Sequence, residues 1–308
     1  GRGAMPSIVC SVGEVLNMGY ALAREKVTST FKIENTSTLT LQYSIQLDSL
    51  SPTRDKDRHR LPSFITSSLQ RTEFVGTQNY NGLSVFSVFP TEGEVLAGSS
   101  QDFVVTFSPD HDSLYYSDRL RVVLFGKKTA HVIHLKGAAR DHPMFVEGGT
   151  PLDVPVESLA VTRQGGNALP LALAEEHFDC LIVNLTRTCL VLQGPLKSVL
   201  LVLEYVEGKT SPAVTELKVG AIETAGFASK KAVEFSWDGL PLLQRKGFTV
   251  GAAEGTIKPG QVKRIGVSWV PPADFDADDP PLVTALLTLK GDVKESYRIL
   301  FMAKVVSA

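Results

Sequence analysis

The sequence is short of the residues that most often announce chemistry. It has three cysteines, Cys10, Cys180 and Cys189. Their odd number and the lack of a C-x-x-C pair argue against a disulfide framework and a thiolate zinc site. Buried and reduced, such thiols pack as small hydrophobes, which fits a reducing compartment. No apolar run approaches the ~20 residues of a membrane-spanning helix, and the stretch 198–206 is only strand-sized. The opening Gly1-Arg2-Gly3-Ala4-Met5 has no apolar signal core, and the chain reads as a piece of a longer protein. Neither sign of charge is in excess: 31 Lys and Arg face 33 Asp and Glu, for a net charge of -2. Phosphate backbones demand concentrated positive charge, so nucleic-acid binding is not expected, and without a spanning run neither is membrane insertion. G-x-S-x-G, P-loop and dinucleotide fingerprints are absent too, leaving Gly148-Gly149 and Gly165-Gly166 as loop punctuation.

What is present is ordinary globular material, 43% hydrophobic and 21% charged over 308 residues, enough for two domains. Its periodicity is that of strands. Thr30-Phe31-Lys32-Ile33-Glu34 alternates, and Leu39, Leu41, Tyr43, Ile45 and Leu47 recur every second residue. A period of two puts each such set on one sheet face. The polar Asn35-Thr36-Ser37-Thr38 between them is a turn. Further strands are expected over 103–107, 119–125 and 131–135, and helical signal is confined to a turn or two near 62–70. Short strands punctuated by turns specify an all-β sandwich.

The plan occurs twice. Gly93-Glu94-Val95-Leu96-Ala97-Gly98 followed by Val105, Phe107 and Pro109 is matched by Gly255-Thr256-Ile257-Lys258-Pro259-Gly260 followed by Val267, Trp269 and Pro271 at identical spacing. Each reads as a strand, a glycine turn, a strand with an inward aromatic, and a proline ending the pairing. Phe31-x-Ile33-x-Asn35 is paired with Cys180-x-Ile182-x-Asn184, and 132–138 with 297–303. The expected domains are 8–140 and 141–308, with Pro143 stiffening the junction.

Gly13-Glu14-Val15, Phe31-x-Ile33-x-Asn35-x-Ser37, Gly93–Gly98, Phe107 and Pro109, with Asn184, Gly255–Gly260, Trp269 and Pro271 in the second copy, resemble the ASH and MSP-type modules. Those are PapD-like immunoglobulin sandwiches, found in tandem in Hydin and other ciliary central-apparatus proteins. The resemblance implies two tandem immunoglobulin-like sandwiches of seven or eight strands each. It further implies a non-catalytic scaffold in the cytoskeleton of the cilium axoneme, needed for motile cilia, with no cofactor. Its expected partners are axonemal proteins, tubulin among them. The alternative is a cytosolic MSP-type peptide- or membrane-contact adaptor. Some relatives bind peptides on a basic strand face, but the sequence shows no cluster of that kind.

Four basic residues, Arg54, Lys56, Arg58 and Arg60, lie in a charged loop beside His59, Asp55 and Asp57. The loop is either simply solvated or steers the chain to an acidic surface such as a tubulin tail. His131-x-x-His134 places its rings on opposite strand faces, so a shared metal is not expected. Asp110-His111-Asp112 holds the groups of acid–base chemistry but follows Pro109 in a polar turn. Asp274, Asp276, Asp278 and Asp279 form an acidic loop without a calcium-loop frame. Trp269 belongs to the core by its place in the repeat, which leaves Trp237 as the one candidate aromatic platform for a sugar.

Overall fold

The computed structural model describes residues 5–50, 75–152, 196–225 and 231–307. They fall into two compact units, 5–141 and 142–307. The first holds β1 (Ile8–Cys10), β2 (Val15–Leu22), β3 (Val27–Asn35), β4 (Leu41–Leu47), β5 (Phe86–Phe89), β6 (Glu92–Val95), β7 (Ser100–Phe107), β8 (Ser113–Leu124) and β9 (Lys128–Arg140). They form two sheets, ordered β1-β3-β7-β5 and β2-β9-β8-β4-β6. Alternation dictates the sandwich. Phe31, Ile33, Phe103, Val105 and Phe107 of one sheet face Leu41, Tyr43, Leu120, Val122, Ile133 and Leu135 of the other, all buried in one core. Phe103 stacks on Phe31 at 4.9 Å and meets the Tyr43 edge at 5.2 Å. Such ring pairs add ~0.5–1.5 kcal/mol beyond the area they bury.

The second unit holds β10 (Met144–Glu147), β11 (Thr150–Pro151), β12 (Lys197–Val206), β13 (Ala213–Ala221), β14 (Val233–Asp238), α1 (Leu240–Arg245), β15 (Phe248–Val250), β16 (Glu254–Ile257), β17 (Val262–Trp269), β18 (Leu282–Lys290) and β19 (Lys294–Val306). Its sheets are β10-β13-β17-β15 and β11-β12-β19-β18-β14-β16. Trp269 is fully buried, as its repeat position requires, and donates its indole N–H to the Lys246 carbonyl at 2.9 Å. β12 runs parallel to β19, as β2 runs parallel to β9. Leu200, Leu300 and Met302 form a small second cluster on the far side of that pair. Apolar burial on both faces explains why 198–206 reads as an unbroken apolar run instead of an alternating one. The surplus over seven or eight strands per unit lies in very short strands such as β1 and β11.

The repeated glycines have two causes. Gly98 and Gly260 sit at φ +70° and +78°, where a Cβ is strained. Gly93 and Gly255 instead lie directly across from Tyr43 and Phe235. A Cβ there would fall 2.7 Å from the Tyr43 hydroxyl and 2.6 Å from the Phe235 ring, so the aromatic occupies the space that a side chain would take.

Two correspondences drawn from sequence need correction. Cys180, Ile182 and Asn184 lie outside the described residues, and the place of β3 is taken by β13. Phe31 pairs with Phe103 as Leu217 pairs with Ile265. The counterpart of Phe31-x-Ile33-x-Asn35 is therefore Leu217-x-Val219-x-Ala221. The last strands align Ile133 with Ile299, since Leu120 faces Ile133 and Ala285 faces Ile299; the sequence match was one residue out of register, enough to swap sheet faces. Leu39, expected on the core face, precedes β4 and is exposed.

Candidate interaction surfaces

Asp110, His111 and Asp112 are brought together with Tyr80 and Tyr116, but for structural ends. His111 Nδ1 lies 2.5 Å from an Asp110 carboxylate oxygen, and its ring stacks on Tyr80 at 3.6 Å. Tyr116 donates its hydroxyl to the His111 carbonyl at 2.8 Å. Burial pushes the Tyr116 phenol well above its ordinary range, with the nearby Asp110 and Asp112 charges adding to the rise. Burial also pulls on Asp110, but hydrogen bonds from His111 and the Asn81 N–H outweigh it and leave that carboxyl below its usual value. Asp112 meets the buried Arg140 guanidinium at 3.0 Å and accepts the Asp141 N–H, securing the end of β9. The turn expected from Pro109 onward is observed, and its acid–base groups are committed to holding loop and strand ends.

The basic loop residues Arg54, Lys56, Arg58 and Arg60 lie outside the described residues. The chain just before them is anchored by a single 3-10 turn, Asp48–Leu50. Asp48 accepts hydrogen bonds from Arg119 Nε at 2.6 Å and Arg121 Nη2 at 3.3 Å and is ion-paired with both guanidinium groups. Ser49 donates both its N–H and its hydroxyl to Asp118, whose carboxylate also accepts the Arg119 N–H. Asp118 is completely buried, and desolvation raises its pKa despite those bonds.

Those arginines belong to a surface that the sequence concealed. Arg119 lies directly across from His134, and Ser117 across from Lys136. With Arg121 two residues along β8, four basic side chains therefore share the outer face of the β2-β9-β8-β4-β6 sheet, opposite core-facing Leu120, Val122, Ile133 and Leu135. The His134 imidazole is held below its ordinary pKa, first by burial and then by the Arg119 and Lys136 charges, with Glu14 and Asp48 opposing them. The sequence by itself shows no basic cluster on a strand face, and this one forms only where β8 pairs with β9. Its signal was present as i, i+2 pairs in two strands, but only the register across the hairpin joins them.

His131 and His134 are separated as expected: His131 Nε2 lies 2.9 Å from the Gly13 carbonyl, on the other side of the strand. No group of three metal-ligating side chains occurs among the described residues. In the acidic loop the Asp276 carboxylate accepts the Asp278 N–H, and Phe275 packs edge-on against Trp269 at 5.4 Å. Trp237 is half-buried against Phe301, its indole N–H enclosed, and so is no open platform. Burial raises the Cys10 thiol pKa, partly offset by a backbone hydrogen bond, which makes it a poor nucleophile. A cavity of about 370 Å³ beside Lys197, Lys294 and Tyr297 in the second unit holds one carboxylate, Glu295, which accepts the Tyr297 hydroxyl. Among the described residues, edge strands offer little backbone. β1, β5, β6, β10, β11, β15 and β16 have at most four residues, and β2 is interrupted by a bulge. Short or bulged edges discourage strand addition, so side-chain faces and turns are the larger surfaces on offer.

No family model matches the sequence. The chain is 42% identical over 312 aligned residues to cilia- and flagella-associated protein 74 of Mus musculus, and equally to that of Homo sapiens. All of the chain is matched, but it spans only 16% of either relative. Among solved structures, PapD-like domain 7 of human CEP192 is 14% identical at a TM-score of 0.30, covering 44% of this chain and 85% of its own. WR4, a C. elegans MSP family member, is 11% identical at 0.24, covering 45% and 100%. These scores are low, and the fold rests on the strand order itself. The names of both sequence relatives tie them to cilia and flagella. Along its whole length, then, this chain is similar to a segment of cilia- and flagella-associated protein 74, and its described residues build tandem β-sandwiches.

Proposed function

We propose that the chain is a non-catalytic protein-interaction and scaffolding segment of a ciliary or flagellar protein, working in the axoneme at the central apparatus. The observation that carries this reading is the 42% identity, covering the whole chain, to cilia- and flagella-associated protein 74. Two features support it. The titratable cluster at Asp110–Asp112 is committed to structural bonds, and the basic face of Arg119, Arg121, His134 and Lys136 suits acidic protein surfaces, tubulin among them.

The test is to express the tagged chain in ciliated cells, strip the membrane with detergent and wash the axonemes at low and then high salt. The chain is expected to stay with axonemes at low salt, and mass spectrometry of the salt eluate to recover axonemal proteins or tubulin. A diffuse cytosolic chain that recovers vesicle or membrane-contact proteins instead would overturn this reading in favour of the MSP-type adaptor.

A further inference from the structure

At one end of the first unit three turns meet: the β3–β4, β6–β7 and β8–β9 connections. The Asn35 side chain ties two of them together, donating to the carbonyls of Leu39 at 2.6 Å and Val95 at 2.9 Å, while the Asn35 backbone carbonyl accepts the Gly98 N–H. The third is tied in through the Phe125 N–H, which bonds the Gln42 carbonyl at 2.9 Å. Each turn presents a large apolar side chain to solvent: Leu39 is 37% exposed, Leu96 61% and Phe125 44%.

The second unit supplies an internal control. Leu96 corresponds to Lys258, since both follow the last residue of the paired Gly93–Val95 and Gly255–Ile257 segments. Leu39 precedes Leu41 by two residues as Lys231 precedes Val233, and those two strand starts face Val95 and Ile257 in turn. Phe125 bonds Gln42, and its counterpart Lys290 pairs with Glu234. All three positions are thus lysine, and exposed, in the sister unit. The fold does not require apolar residues there; the first unit alone carries them.

Phe125 also opposes its own backbone. It has φ +52° and the following Gly126 +65°, and Lys127 N–H closes the turn on the Leu124 carbonyl at 3.1 Å. Positive φ at both central positions is the signature of a type I′ turn, whose first central residue is ordinarily Asn or Asp. A bulky aromatic at positive φ is an outlier, and here it gains no burial in the chain's own core. Outliers of this kind concentrate where a segment meets a ligand.

We propose that this end of the first unit, with Leu39, Leu96 and Phe125 at its centre, is a docking surface for one partner. That partner is a protein segment presenting apolar side chains flanked by acidic residues. The charge argument is local. Lys127 and Lys128 on the same turn are exposed and make no ion pair among the described residues, so a carboxylate on the partner's rim would meet them. An anionic bilayer fits less well, because its continuous field of headgroups would meet exposed Glu34 and Glu94 as well as the lysines, whereas the carboxylates of a peptide need meet only Lys127 and Lys128. The proposal deepens the scaffold reading and rests on it only in requiring a protein partner; the ciliary address is a separate matter.

The test places a photo-crosslinking phenylalanine analogue at Leu96 of the whole chain, irradiates it in extract of cells that naturally express the protein, and sequences the adduct. The expected result is an adduct on an apolar peptide with Asp or Glu beside it, reduced about tenfold by Lys127→Glu with Lys128→Glu. The same loss is expected on Leu39→Lys with Phe125→Lys, with the melting transition unmoved. Three outcomes would overturn the proposal: no adduct, an adduct indifferent to charge reversal, or an adduct on a second copy of this chain. Flotation with phosphatidylserine vesicles that depends on Phe125 would overturn it too, assigning the surface to lipid. Axonemal retention that persists when the adduct is absent would leave the ciliary reading standing and remove only this surface.

Discussion

Asp118 shows how a single side chain can be indispensable and costly at once. Its carboxylate accepts three hydrogen bonds in a fully buried site, yet desolvation raises its pKa above the ordinary 3.8. An acid whose folded pKa is raised binds its proton more tightly in the native state. Its contribution is fully present below pH ~3.8 and is lost as pH rises through the folded value. Asp118→Asn keeps an acceptor for the Ser49 and Arg119 N–H groups but removes the charge. Its stability relative to the parent is therefore expected to increase from pH 3.5 to pH 7, as read from urea midpoints at the two pH values. Asp118→Ala, which strands those donors, is expected to cost ~1–3 kcal/mol. The glycines opposite aromatics give a second test. Gly93→Ala would put a methyl against the Tyr43 ring and should destabilise by ~1–3 kcal/mol in thermal melts. Gly93→Ala with Tyr43→Leu should recover part of that loss.

At the scale of strands, the basic face makes the clearest prediction. Lys136 lies diagonal to Arg119 and lowers the His134 pKa. Lys136→Gln should therefore let His134 titrate at higher pH, which an NMR titration of its ring protons reads directly, and Lys136→Glu should raise it further. If the face docks acidic partners, the same two changes should lower the salt concentration that releases the chain from axonemes, the charge reversal more so. Much of the strand plan was legible beforehand. Alternation in 30–34 and 103–107, and the equal glycine-to-aromatic spacing, followed from sheet geometry and core packing, which local sequence records faithfully. Three things were hidden, each for a physical reason. β13 was missed because Ala221 stands where Asn35 caps its strand, so the polar marker that labels β3 is absent. The last strands were misaligned by one because the β8–β9 ladder carries a bulge near Ala130 that β18–β19 lacks. The basic face escaped because its members lie on two strands joined by a hairpin, and no window along the chain contains their register.

Among the described residues each unit has its own core: the cluster around Phe103 draws only on residues of the first, and that around Trp269 only on residues of the second. Residues 5–141 and 142–307 are accordingly expected to fold when expressed separately, each giving a dispersed amide spectrum and one cooperative unfolding transition. A fragment that stays unfolded alone would show that the division is one of contacts and not of stability.

The parallel pairing of β2 with β9, repeated by β12 with β19, has a consequence for synthesis. In both units an early strand finds its parallel neighbour only in the last one, more than a hundred residues later for Val15 and His134. Closing so long a loop is slow relative to hairpin formation. While a ribosome is translating a unit, β2 or β12 must wait beside an incomplete sheet until the final strand leaves the exit tunnel. A nascent chain of this design matures one sandwich at a time, and a stop codon or long pause inside β9 or β19 exposes a half-built sheet to chaperones and proteases.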